Sequence, residues 1–327
     1  MRVTAARTAR IVGALKGAPI AIALVCAVAM RGAAQEEPFV GGSESADSIL
    51  ARLVERRPRR VRQVGTSSVT LRLDLGDGLE SAFKPRTRTH PRGYLAEIAA
   101  YRIARALGMD NVPPVIGRRL PRPMLEERFE GAHAEQDWQA IREDIRWDAP
   151  GIVRGAAIYW VPRMRPSELA TARDLSRVAP WLSQSGQLPE ERASVARDLS
   201  TLIAFDYLIG NWDRWSGGNV STDESGQRLF VRDHNVAFVE PLTPERYERL
   251  RGQLERVERF SRAFVESVRE LEEARLRLAL AEDPESQERP VLDDAQIAGV
   301  LSRRRALLSY VGALVDVHGR ERVLAWR

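Results

Sequence analysis

Between Val69 and Leu75 apolar and polar residues alternate, with Val69, Leu71, Leu73 and Leu75 on one side. A period of two predicts a half-buried strand. Gly76-Asp77-Gly78 supplies a turn and Leu79 to Phe83 returns, so the segment reads as a β-hairpin. The period then becomes helical over Gly93 to Leu107, where Leu95, Ile98, Ala99, Ile103 and Leu107 form the apolar side and Gly108 closes the segment. Ahead of the hairpin, Ser48 to Arg57 predicts a short amphipathic helix ended by Pro58. Asn111 to Ile116 and Ile152 to Val161 read as strands around a mostly polar, helical stretch from Leu125 to Ile145. Beyond Pro162 the pattern is helical in three long segments, Glu190 to Ile209, Tyr247 to Ala281 and Asp293 to Val317. A short strand pair near Val220 and Leu229 to Val231 interrupts them.

A sheet with one crossing helix, followed by a helical half, predicts an α+β chain with the outline of a two-lobed kinase. The expected division is an N-lobe over residues 63–162 and a C-lobe over 163–327, preceded by a linker and short helix over 35–62. Folds host many functions, so the outline alone assigns none.

Charge changes the picture at the N-terminus. The chain of 327 residues carries a formal net charge of +5, a value that invites a nucleic-acid reading. Residues 1–34, however, hold five of the 50 basic residues and no acidic one, so without them 45 basic residues face 45 acidic ones and that reading loses its support. A basic stretch to Lys16, an apolar run from Ala18 to Met30 and the small residues Gly32-Ala33-Ala34 have the layout of a secretory signal peptide. Export to a periplasm, secretory lumen or exterior is expected; the alternative is a membrane anchor over residues 11–30, the chain's one expected membrane contact. The single Cys26 lies in the apolar run, so the body has no disulfide.

Lysine usage is sharply biased. Of the 50 basic residues only Lys16 and Lys84 are lysines. Arg serves wherever a generic positive charge suffices, which makes the position that kept Lys informative. Lys84 ends the second strand of the hairpin, where in a kinase a compact ammonium can reach the phosphates of ATP and pair with a helix carboxylate. Glu97, in the second turn of the Gly93 to Leu107 helix at the border of its apolar face, is the candidate partner. A second constellation follows in DYLIGNWDRWSGGNV and RLFVRDHNVAF. Phosphoryl transfer needs a carboxylate to orient and deprotonate an acceptor hydroxyl, for which Asp213 is the candidate. It also needs oxygen ligands for Mg²⁺ or Mn²⁺, for which Asn219 and Asp233 are the candidates. Gly65, Thr66, Ser67 and Ser68 can offer backbone amides to phosphate. The four histidines are dispersed, and His234 is expected to point away from Asp233 across a strand. Trp212 and Trp215 are expected to pack the loop around Asp213.

The blocks AFKP, YLAEIAAYRIARALGMDNVPPVIGR, DYLIGNWDR and DHNVAF, in this order over residues about 64 to 240, resemble the secretory-pathway kinases of the Golgi casein kinase and Four-jointed type. The likeness extends more distantly to HipA-like and phosphoinositide kinases. It implies that Lys84 holds the ATP phosphates, Glu97 pairs with Lys84, Asp213 is the catalytic carboxylate, and Asn219 and Asp233 bind metal. Asp213-Arg214-Trp215 stands where these families carry Asp-Arg-His, and Asn235 stands where a glycine often follows the metal aspartate. Two readings follow. One is an ATP- and metal-dependent kinase acting on a hydroxyl of an exported protein, or of a sugar or lipid; the other is a nucleotide-binding pseudokinase that serves as an interaction module.

Overall fold

The structure is a computed structural model that describes residues 37–65, 68–148 and 150–326. The leader, Thr66 and Ser67 lie outside the described residues. The N-terminal half runs α1 (Ala46–Glu55), β1 (Arg60–Gln63), β2 (Leu71–Gly76), β3 (Leu79–Pro85), α2 (Gly93–Ala106), β4 (Val115–Pro121), α3 (Arg122–Glu126), α4 (Ala134–Arg142), β5 (Trp147–Asp148) and β6 (Ile152–Tyr159). The other half holds β7 (Arg165–Pro166), α5 (Ala172–Val178), α6 (Ala193–Ile209), β8 (Val220–Thr222), β9 (Leu229–Val231), α7 (Pro244–Leu254), α8 (Arg262–Glu270), α9 (Glu273–Ala281), α10 (Asp294–His318) and α11 (Arg320–Val323).

The N-lobe sheet is antiparallel in the order β1-β2-β3-β6-β4, with β5 also pairing β6. The predicted hairpin is β2-β3, turning at Gly76-Asp77-Gly78 with all three residues at positive φ. A smaller sheet, β7-β8-β9, belongs to the C-lobe.

Several boundaries differ from expectation. The short helix expected over Ser48 to Arg57 is α1, while the stretches around it are packed and not a free linker: Phe39 is buried edge-on against Tyr159, and β1 joins the sheet. Arg118 of β4 also holds α1 by donating to the carbonyls of Leu53, at 2.6 Å, and Arg56. The strand expected over Asn111 to Ile116 starts only at Val115, because Pro113 and Pro114 have no N–H for a ladder. The polar stretch from Leu125 breaks into α3 and α4 around Gly131, whose φ is 148°. The single segment expected over Tyr247 to Ala281 is three helices. Ser261 caps α8 by accepting from the Phe264 amide, and Phe260 is drawn out of helical pairing by donating to the Val323 carbonyl at 2.7 Å.

Helix α2 is the element that most exceeds its local pattern. Every residue from Gly93 to Ala104 is buried, including Glu97 and Arg102. The sheet takes one side, while α9 and the 3₁₀ turn Pro284–Gln287 cover the side that the sequence leaves polar.

Candidate active site

Strand alternation sets the first functional group. Leu79, Ser81 and Phe83 of β3 are buried, and Ala82 and Lys84 face a cavity of about 240 Å³ between the lobes. Lys84 pairs with Ala156 of β6, and the neighbouring Gly155 has no room for a side chain: a Cβ there would lie 2.5 Å from the Phe83 ring and 2.6 Å from the Lys84 carbonyl.

The Lys84 Nζ lies 2.6 Å from Glu97 Oε1 and 2.6 Å from Asp233 Oδ1. Burial by itself depresses the ammonium, but the charges of Glu97 and Asp233 outweigh it and hold its pKa above the ordinary 10.5. Glu97 is 1% exposed, so the carboxylate expected at the border of an apolar face is in the interior. Burial by itself raises its pKa; the Lys84 charge and the His234 contact reverse that and hold it well below the ordinary 4.5.

His234 is the residue that strand reasoning misplaced. Its backbone N–H donates to Glu97 Oε1 at 3.0 Å and its Nδ1 lies 3.1 Å from Glu97 Oε2, so it faces the same cluster as Asp233. The reason is local: β9 ends at Val231, and Asp233 adopts a φ of 65°. A left-handed residue breaks the alternation and turns successive side chains inward. The positive φ falls on Asp233 itself and not on Asn235, which stands at the glycine position.

Asp213 and Asn219 lie in the adjoining loop and do not line the cavity. A buried ion pair shapes that loop. Arg214, 0% exposed, donates from Nε to Asp206 Oδ2 at 2.8 Å and from Nη2 to Asp206 Oδ1 at 2.9 Å; its Nη1 reaches the carbonyls of Asn219, at 3.0 Å, and Arg232. This fork ties α6, the Asp213 loop and the strand before Asp233 together. The Arg214 guanidinium is therefore not the local partner of Asp213, whose half-exposed carboxylate is left facing solvent. Asn219 donates its amide to the Asp213 carbonyl at 3.2 Å and to Ser216 Oγ at 3.3 Å. Trp215 is buried and Trp212 half-buried beneath the Arg246 guanidinium, 4.4 Å from its ring centroid, so both pack the loop.

A second polar cluster holds α2 from behind. Tyr94 donates to Glu285 Oε1 at 3.0 Å, and Arg102 Nη2 lies 3.1 Å from Asp283 Oδ2. Arg154 of β6, at 3.4 Å, and Arg289, at 3.2 Å, also face Glu285, and the Gly117 amide donates to Asp283. The C-lobe thereby clamps the helix that carries Glu97 at both its first and third turns.

Among the described residues no group of three or more His, Cys, Asp or Glu is arranged to hold a metal by itself. Asp233 Oδ2 and Asn219 Oδ1 are nonetheless free of hydrogen bonds among those residues. Two oxygen donors suit Mg²⁺ or Mn²⁺, which complete their shells with substrate phosphates and water. Apolar Ala82, Val115, Ile158, Val161 and Met164 line the cavity, a surface for a planar ring, and Gly65 and Ser68 line it too.

No family model matches the chain. It is 27% identical to human glycosaminoglycan xylosylkinase, over 77% of this chain and 70% of that protein. Its fold is similar to that of the Golgi casein kinase (TM-score 0.64, 16% identity, 85% of this chain and 77% of that one), also solved with Mn and ADP bound (TM-score 0.62). It is similar too to hydra Fam20 with sugar (TM-score 0.63, 17% identity, 84% of this chain and 90% of that one). The fold is the two-lobed kinase fold, α+β, and the resemblance to the atypical secretory-pathway kinases holds in sequence as well as in architecture.

Proposed function

We propose that this chain, a kinase-fold relative of the atypical secretory-pathway kinases, transfers the γ-phosphate of ATP to a hydroxyl group with the help of Mg²⁺ or Mn²⁺. The observation that carries the reading is the placement of Lys84, the one lysine after residue 16, between Glu97 and Asp233 at the wall of the cavity between the lobes. Lys84 holds the phosphates while Glu97 keeps its ammonium oriented. Asp233 and Asn219 hold the divalent ion, which neutralises phosphate charge when bound. Asp213 orients the acceptor hydroxyl and takes its proton as the acceptor oxygen bonds to the γ-phosphorus and the β–γ bridge leaves with ADP.

A sugar hydroxyl is the acceptor favoured here, since the xylosylkinase likeness is one of sequence over most of the chain. A hydroxyl of an exported protein is the second reading, favoured by the fold shared with the Golgi casein kinase. Both suit a chain exported by its leader, as read from residues 1–34; no helix among the described residues is long and apolar enough to cross a membrane. Purified protein with γ-labelled ATP, Mn²⁺ or Mg²⁺, a xylose-containing oligosaccharide and casein in separate reactions tests the proposal. Label in the oligosaccharide supports the first acceptor and label in casein the second. Nucleotide binding with no transfer to either, nor to a total lysate, would instead describe a pseudokinase.

A further inference from the structure

We infer that Arg232 is a second cationic contact for the phosphate groups of the nucleotide, distinct from Lys84. This deepens the kinase reading above and rests on it. Arg232 follows β9, precedes Asp233 and lines the same cavity as Lys84. Its Nε donates to Ser221 Oγ at 3.1 Å and its Nη2 to the Gly218 carbonyl at 2.8 Å. Both acceptors are neutral, and among the described residues no carboxylate lies within 4.0 Å of this guanidinium, while Lys84 has two. Arg232 is partly buried, and the buried Arg214 and Arg303 are neutralised, by Asp206 and Glu240. Arg118, which also lacks a carboxylate, is accounted for by the carbonyls at the end of α1.

A desolvated cation is costly unless an anion meets it. Two hydrogen bonds fix the guanidinium, and its Nη1 has no partner among the described residues. Lys84, by contrast, already has its charge met by Glu97 and Asp233. The charges of these four cavity groups cancel, so a polyphosphate entering the cavity meets one cation without a carboxylate, and that cation is Arg232.

The test measures binding of adenosine, AMP, ADP and ATP, each with Mn²⁺, by calorimetry to the parent protein and to Arg232→Gln, Arg232→Lys and Ser221→Ala. Loss of a charge-assisted contact predicts roughly tenfold or greater weakening of ADP and ATP in Arg232→Gln, adenosine staying within about twofold of the parent, and partial recovery in Arg232→Lys. Equal weakening of adenosine and ATP, or no weakening of ATP, overturns the assignment. If Arg232→Gln does not fold, Ser221→Ala decides: it keeps the charge and releases one orienting contact, so it must weaken ATP selectively, and an unselective or absent effect overturns the proposal. A parent that binds none of the four ligands defeats the kinase reading itself, and this assignment with it. A parent that binds ATP while the variants show no selectivity defeats only the role of Arg232.

Discussion

The Nδ1 of His234 lies 3.1 Å from Glu97 Oε2 while its backbone N–H donates to Oε1 at 3.0 Å, so one residue engages both carboxylate oxygens of the Lys84 partner. Fully buried, Glu97 has no water to orient it; Lys84 and His234 do so instead. His234→Phe is expected to leave nucleotide binding measurable while lowering the rate of transfer roughly tenfold, because a mispositioned Glu97 lets the ammonium drift. His234→Asn, which retains a side-chain donor, is expected to recover part of that rate. Steady-state kinetics in which only KM changes would contradict a positioning role.

Lys84→Arg preserves charge but is expected to reduce transfer by about two orders of magnitude or more without unfolding the protein. A planar guanidinium cannot place one nitrogen between two carboxylate oxygens that are each 2.6 Å from Nζ. Circular dichroism checks the fold and phosphate transfer the activity. Activity within a few-fold of the parent would remove Lys84 from the mechanism.

Asp233 and Asp213 should separate by function. Asp233→Ala is expected to abolish the metal-dependent part of ATP binding, since this carboxylate carries the free oxygen beside Lys84. Asp213→Ala is expected to bind ATP and Mn²⁺ as the parent does and to lose transfer, its carboxylate lying outside the nucleotide cavity. Equal loss of the ATP- and Mn²⁺-dependent thermal shift in both variants would contradict this division.

The site cluster also fixes a pH dependence. The Lys84 pKa is raised above 10.5, so its contribution to stability is complete below 10.5 and is lost only as pH rises through the higher folded-state value. The Glu97 pKa is held below 4.5, so its contribution is complete above 4.5 and drains away as pH falls from there toward the folded-state value. The stability difference between the parent and Glu97→Gln is therefore expected to be flat from about pH 5 to pH 9 and to shrink in acid. Denaturant melts across that range check it. An amine acylating reagent at pH 9 should likewise modify the Lys84 peptide slowly unless Glu97 is replaced.

The clamp behind α2 predicts a stability defect at a distance from the cavity. Glu285→Ala removes the buried carboxylate that Tyr94, Arg154 and Arg289 share; Arg154 keeps Asp148 and Glu288 and Arg289 reaches solvent, so the loss is on the order of 2 kcal/mol. Tyr94→Phe removes one hydrogen bond to the same carboxylate and should cost about 1 kcal/mol. Urea unfolding of the two variants measures the order, and a larger loss for Tyr94→Phe would refute it.

Local periodicity determined much of this protein. The β2-β3 hairpin, the α2 and α10 segments and the position of Lys84 at a strand end are short-range matters, settled by alternation, helical spacing and turn glycines within a few residues. Lys84 was legible as a candidate too, because it stands out in a chain that uses Arg almost everywhere else.

Tertiary structure decided the rest, and in each case the partners are distant in sequence. Glu97 looked peripheral because His234, which closes over both its carboxylate oxygens, lies 137 residues further along the chain. His234 joined the site because a single left-handed residue, Asp233, ended the strand period on which its expected direction relied. Arg214 turned inward to Asp206, eight residues back, and not to the adjacent Asp213, because α6 and the loop meet only in three dimensions. A charge has little local preference for a partner. Burial creates that preference by removing water, and which residues are buried together is a property of the folded chain as a whole.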